Sequence, residues 1–226
     1  MNKKLQVFVS STYTDLKEER QAAVEAILNA GHIPAGMELF KAGKSQMETI
    51  RKWIDESDVY MLILGGRYGS IEEESGRSYT ELEYRYALSK NMPVFAIVLS
   101  ESFLTEKIAS IGLYKTIEQS APERYQTFKS LVMSKIISMV NDNKEIKIAI
   151  HATLNKFMEE YNLVGWVRNT NESDIVRLLK DTSDKITKNN RLTEQTQKLQ
   201  QQFGNYSLNE ILQIAKEKIS VTDDTL

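Results

Sequence analysis

Val59-Tyr60-Met61-Leu62-Ile63-Leu64 is an unbroken apolar run that stops at Gly65-Gly66-Arg67-Tyr68-Gly69. A run of this length suits a strand better than a helix, and its lack of polar alternation means that both sheet faces are covered, as in a parallel sheet. Upstream, Met47, Ile50, Trp53 and Ile54 recur at helical spacing. Downstream, Ser78 opens another helix, and Pro93-Val94-Phe95-Ala96-Ile97-Val98-Leu99 repeats the short apolar pattern. Helix, strand, glycine loop, helix and strand in that order form a crossover unit, because parallel neighbours cannot be joined by a tight turn.

The N-terminal stretch follows the same rule. Leu5-Gln6-Val7-Phe8-Val9 reads as a strand, and Leu16, Ala23, Val24, Ile27 and Leu28 mark a helix. Thr12 or Asp15 is placed to cap that helix, with an acid three residues on, and Gly31 to end it. His32 to Ala35 is a second strand. Past Leu99, residues 101–120 are less regular, Tyr125 to Val132 reads as a helix, Lys135 to Val140 as a fifth strand and Ile146 to Tyr161 as an amphipathic helix. Gly165-Trp166-Val167-Arg168 closes the unit. The expected class is α/β, a five-stranded parallel sheet with helices on both faces over residues 1–170, followed by a helical tail over 171–226. In the tail Ile175, Leu179, Thr182, Ile186, Asn189, Leu192, Thr196, Leu199 and Phe203 are three or four apart, a broken coiled-coil seam able to join copies of the chain or to pack on its own domain.

Composition narrows the function. Among 226 residues, 29 Lys and Arg face 31 Asp and Glu, for a net charge of -2, so there is no basic field to attract nucleic acid. No cysteine is present, which removes disulfides, thiolate zinc sites and a cysteine nucleophile. The start of the chain lacks a signal-peptide core, and no apolar stretch is long enough to cross a bilayer, so the expected setting is cytoplasmic and free of the membrane. No metal site is expected: His32 and His151 are far apart in sequence, and there is no H-E-x-x-H motif. Gly43-Lys44-Ser45 ends like a Walker loop, but Glu38 stands where the first glycine belongs.

In open parallel sheets the ligand crevice lies beyond the carboxyl ends of strands, where strand order reverses. The common five-stranded order sets the first and third strands side by side there, making Ser10, Ser11, Thr12, Gly65, Gly66, Arg67 and Tyr68 candidate ligand-binding residues. Each has a structural alternative as cap, turn or surface residue. Ser78 and Glu81 have capping-box spacing, in which the serine accepts the third-residue amide and the glutamate returns to the cap amide. Glu83 lies outside that box, has Ala87 four residues on, and is open either to pocket chemistry or to solvent.

Val7-Phe8-Val9-Ser10-Ser11-Thr12-Tyr13-Thr14-Asp15-Leu16-Lys17-Glu18-Glu19-Arg20 resembles the opening signature of the TIR-like domain-of-unknown-function family 4062. The likeness continues through residues 47–57, 58–69, 78–87 and 165–168, covering about residues 4–168 and leaving the tail outside. The family is similar to Toll/interleukin-receptor domains and, more distantly, to nucleoside deoxyribosyltransferases, which implies a flavodoxin-like fold. In those relatives a glutamate on the helix after the third strand, with alanine four residues on, acts at an N-glycosidic bond. Glu83 and Ala87 match that spacing, whereas Glu81 is followed at that distance by Arg85.

The resemblance thus implies Glu83 as the catalytic carboxylate and Ser10 and Ser11 beside ribose or phosphate. Arg67 would bind phosphate, and Gly36 to Lys44 would correspond to the loop through which TIR domains associate. NAD or a related nucleotide would be substrate or ligand, with no further cofactor, in bacterial stress or antiphage defence. Two alternatives stand beside this: a non-enzymatic nucleotide sensor or assembly scaffold, and base exchange between nucleosides.

Overall fold

The structure, a computed structural model, describes residues 3–36, 46–167, 172–204, 210 and 213. Its contacts divide the chain into two compact units, Met1–Arg168 and Asn169–Leu226. The first holds five strands: β1 (Gln6–Ser11), β2 (Ile33–Gly36), β3 (Val59–Leu64), β4 (Val94–Leu99) and β5 (Ile137–Val140). All neighbouring pairs are parallel, in the order β2-β1-β3-β4-β5. Strand order therefore reverses between β1 and β3, whose register pairs Ser10 with Leu62 and Ser11 with Ile63 and so brings both carboxyl ends level.

Alternation along the strands sorts the core into two layers. Val7 and Val9 of β1, with Met61 and Ile63 of β3, face α1 (Lys17–Asn29) and α7 (Asn143–Glu160), where Ala23, Ile27, Ile150 and Phe157 are fully buried. Phe8 of β1, with Tyr60, Leu62 and Leu64 of β3, faces α2 (Gln46–Asp55), α3 (Tyr79–Ser89) and α6 (Pro122–Met133), through Ile50, Ile54, Tyr84 and Phe128. This second layer is strongly aromatic. Phe8 stacks on Tyr60 at 5.7 Å, and Tyr84 meets both Tyr60 and Phe128 edge-on, at 6.0 and 5.7 Å.

Two local expectations are corrected. Residues 101–120, read only as less regular, contain α4 (Glu101–Ile111) and the one-turn α5 (Leu113–Thr116). Only Phe103 of α4 is buried, so the apolar period there is weak, and the helix instead starts on the Ser100 hydroxyl, which accepts the Phe103 amide at 3.2 Å. In addition, neither Thr12 nor Asp15 caps α1. The cap position is Leu16, without a side-chain bond, and the Thr12 hydroxyl donates to the Asp15 carboxylate at 2.9 Å.

The second unit carries α8 (Glu172–Phe203). Leu179, Ile186 and Leu192 of the expected seam are half to two-thirds exposed. The side chains of Ile175, Thr196, Leu199 and Phe203, and the loop from Met37 to Lys44, lie outside the described residues. Among the described residues no helix is long and apolar enough to cross a membrane.

Candidate active site

α3 begins where the Ser78 hydroxyl accepts the Glu81 amide at 3.1 Å. From that start its inward stripe is Thr80, Glu83, Tyr84 and Ala87, all buried. A glutamate thus occupies a place that helical geometry assigns to the core. Glu83 is 3% exposed. The polar group that meets it comes from 73 residues away: the Ser10 hydroxyl donates to Glu83 Oε2 at 2.6 Å, from the Phe8 face of β1 near its carboxyl end. Burial pushes the Glu83 carboxyl up to about 7, against the opposing pull of the Ser10 hydrogen bond and the Arg20 charge. Tyr60 lies in the same field. Its own burial, and next the Glu83 charge, hold its proton on well above the usual phenol range.

Arg20 completes this group and is the functional candidate that the sequence reading passed over. It is 4% exposed on α1, and its guanidinium Nη1 donates to the Val9 carbonyl at 3.3 Å and to the Ser11 hydroxyl at 2.9 Å. The signal was its position, four residues after buried Leu16 and three before buried Ala23, on the apolar face of the helix. A guanidinium there brings permanent positive charge to the end of β1.

The other candidates fall into two groups. Ser11 and Thr12 stand at the β1 end, but their hydroxyls are committed locally, Ser11 to the Thr12 carbonyl at 2.6 Å and Thr12 to Asp15. Gly65, Gly66 and Tyr68, expected to bind ligand, each also have a packing role. The Gly65 carbonyl accepts the Tyr125 hydroxyl at 2.7 Å. At Gly66 a Cβ would collide with the Thr116 carbonyl, because Glu118 bonds back to the Gly66 carbonyl at 2.8 Å and draws the two backbones together. Tyr68 is 1% exposed; its amide donates to Glu118 at 3.0 Å and its hydroxyl to Glu81 at 2.5 Å. Arg67 is half-exposed, and its positive charge favours the ionised forms of Asp15 and Glu118.

The capping box forms only by half. Ser78 caps as expected, but the Glu81 carboxylate does not return to the cap amide: it accepts from Tyr68 and from Arg85 Nε at 2.6 Å, with Arg77 Nε 3.7 Å away. Tyr68, from the loop after β3, and Arg85, one helical turn on, take the carboxylate instead of the cap amide. Glu81 is therefore a buried anchor between α3 and the β3 loop. His32 is also structural, its Nδ1 accepting the Leu5 amide at 3.2 Å. Among the described residues no cluster of three or more metal-ligating side chains occurs.

No curated protein matches the chain. Among solved structures, the TIR domains of the activated Roq1 resistosome, which recognises the pathogen effector XopQ, are 13% identical with a TM-score of 0.46, over 67% of this chain and 99% of that one. A CMP N-glycosidase of Clostridium botulinum is 11% identical with a TM-score of 0.37, over 65% of this chain and 98% of that one. A flavoprotein of Thermotoga maritima is 16% identical with a TM-score of 0.38, over 69% of this chain and 36% of that one. The sequence pattern of the family described as "Domain of unknown function (DUF4062)" matches residues 6–155, which takes in the whole sheet and every residue of the Ser10, Arg20 and Glu83 group, and the chain belongs to that family.

Proposed function

We propose that the protein cleaves the N-glycosidic bond of a nucleotide, NAD or a relative, with Glu83 as the reacting carboxylate. One observation carries this reading: a carboxylate buried on the inward face of α3 and hydrogen-bonded to Ser10, beside the place where strand order reverses. A group that titrates near neutrality serves both as anion and as proton acceptor. In the proposed step the C1′–N bond breaks and its electron pair leaves with the base; for a pyridinium base the leaving group departs neutral. The Glu83 carboxylate stabilises the resulting oxocarbenium charge or bonds to C1′, and water then adds at C1′ and gives its proton to Glu83. Ser10 holds the carboxylate in place. The family resemblance, rather than the site, supports a setting in bacterial stress or antiphage defence.

The test is chromatography of NAD and a nucleoside panel after incubation with the full chain at low and high protein concentration. Nicotinamide release is expected from the native protein, with a fall on the order of a hundredfold in Glu83→Gln and a smaller fall in Ser10→Ala. Base exchange in place of hydrolysis identifies a transferase. Undiminished turnover in Glu83→Gln removes the carboxylate from the mechanism. A second reading, an assembly scaffold, is favoured by the exposed Leu179, Ile186 and Leu192 on α8. It predicts that oligomer formation survives Glu83→Gln and is lost when those three are changed to serine.

A further inference from the structure

A cavity of about 420 Å³ lies on the α6 side of α3, lined by Tyr68, Arg77, Glu81, Arg85, Glu123 and Arg124 among others. Three arginines line it against two carboxylates. Glu81 is already engaged: Tyr68 donates to one oxygen, and Arg85 Nε, with Arg77 Nε farther off, serves the other. Arg85 and Arg77 meet it through Nε, the inner nitrogen of the guanidinium, while the groups themselves are 40% and 52% exposed. The Arg124 Nη1 donates to the Gly76 carbonyl at the tip of the loop before α3, which orients that guanidinium from the opposite wall. Arg124, Tyr68 and Glu81 line the same cavity. The nearby Glu72 accepts the Ser75 and Glu74 amides, at 2.7 and 2.9 Å, which turns its carboxylate into the loop.

We infer that this cavity is a binding site for a phosphate-bearing small molecule, held by Arg77, Arg85 and Arg124. Guanidinium groups present paired donors that match phosphate oxygens, and several converging groups suit a multiply charged tetrahedral anion better than a single planar carboxylate, which one fork satisfies. The groups are held in place before the ligand arrives, Arg85 by Glu81 and Arg124 by Gly76, which lowers the ordering cost of binding. The site is separate from the Glu83 carboxylate: residues two apart on a helix point about 200° apart, and Glu81 turns to Tyr68 where Glu83 turns to Ser10. The inference is therefore independent of the proposed activity.

Calorimetric titration of the full chain with inorganic pyrophosphate, at fixed ionic strength, tests it. Saturable binding with one site per chain is expected, weakened at least fivefold in Arg77→Gln and in Arg124→Gln, and unchanged in Glu83→Gln. Thr127→Glu, which places a negative charge at the exposed rim without removing a guanidinium, should weaken binding as well. That variant keeps the test open if loss of an arginine disturbs folding. Absence of saturable binding to the native chain overturns the inference. So does affinity within twofold of native in Thr127→Glu and in correctly folded arginine variants, or loss of binding in Glu83→Gln alone, which would place the anion beside Glu83 instead.

Discussion

Replacing Glu83 by glutamine should stabilise the protein increasingly as the solution becomes more alkaline. In the folded chain Glu83 releases its proton at about 7 rather than the usual 4.5. Below pH 4.5 both folded and unfolded chains carry the proton and the residue imposes no penalty. Between 4.5 and 7 the unfolded chain loses it first, so the folded state binds more protons and stability falls as pH rises, levelling off above 7. Moving a carboxyl that far is worth about 3 kcal/mol, and most of it falls between pH 5 and 8.5. Glutamine keeps an acceptor for the Ser10 hydroxyl and does not ionise. Both tryptophans, Trp53 and Trp166, lie in the α/β unit, so their fluorescence during urea unfolding reports that unit and not the tail. The quantity to read is the stability of Glu83→Gln minus that of the native protein, in which every other titrating group cancels to first order. It should rise by about 2–3 kcal/mol across that range. A difference that stays flat would refute the buried, reluctant anion, and with it the physical basis for giving Glu83 a chemical role.

Two further outcomes follow from packing. Gly66→Ala forces a Cβ into the Thr116 carbonyl and the Ile117 side chain, and should cost about 1–3 kcal/mol, seen as a lowered melting temperature. Lys107→Met leaves Glu19, 1% exposed and bonded to Lys107 Nζ at 2.7 Å, as a buried carboxylate without its cation. It should cost about 3 kcal/mol, and Lys107→Met combined with Glu19→Leu should recover most of that loss in a double-mutant cycle.

The sheet was legible because continuous apolar runs such as Val59 to Leu64 carry their own length and burial signal, and because parallel strands oblige a helix between them. α4 was not, since a helix that buries only Phe103 lacks the periodicity by which helices are recognised. At the site, spacing singled out Glu83 but could not say that it is buried, because helical glutamates face water unless a distant partner intervenes. That partner, Ser10, is on the first strand. The same limit governs Glu81. Its capping-box spacing is local and correct, but Tyr68 and Arg85 compete for the carboxylate, and only the folded chain brings Tyr68 within reach. Arg20 was written in the pattern of α1, as a charge on an apolar stripe, and became meaningful once the strand end beside it was known.

The latch on the β3 loop bears on how a ligand could ever reach Glu83. Tyr125 grips Gly65, Glu118 grips Gly66 and Tyr68, and Ile117 lies against the same backbone, so this loop and the start of α6 move as one piece or not at all. On the opposite flank, the solvent-exposed contacts between α2 and α3 include those of Asp55 with Tyr86 and Lys90, of a kind worth at most about 1 kcal/mol each. The wall on the β3 loop side is thus braced backbone to backbone, and a ligand reaching Glu83 must fit that wall rather than reshape it.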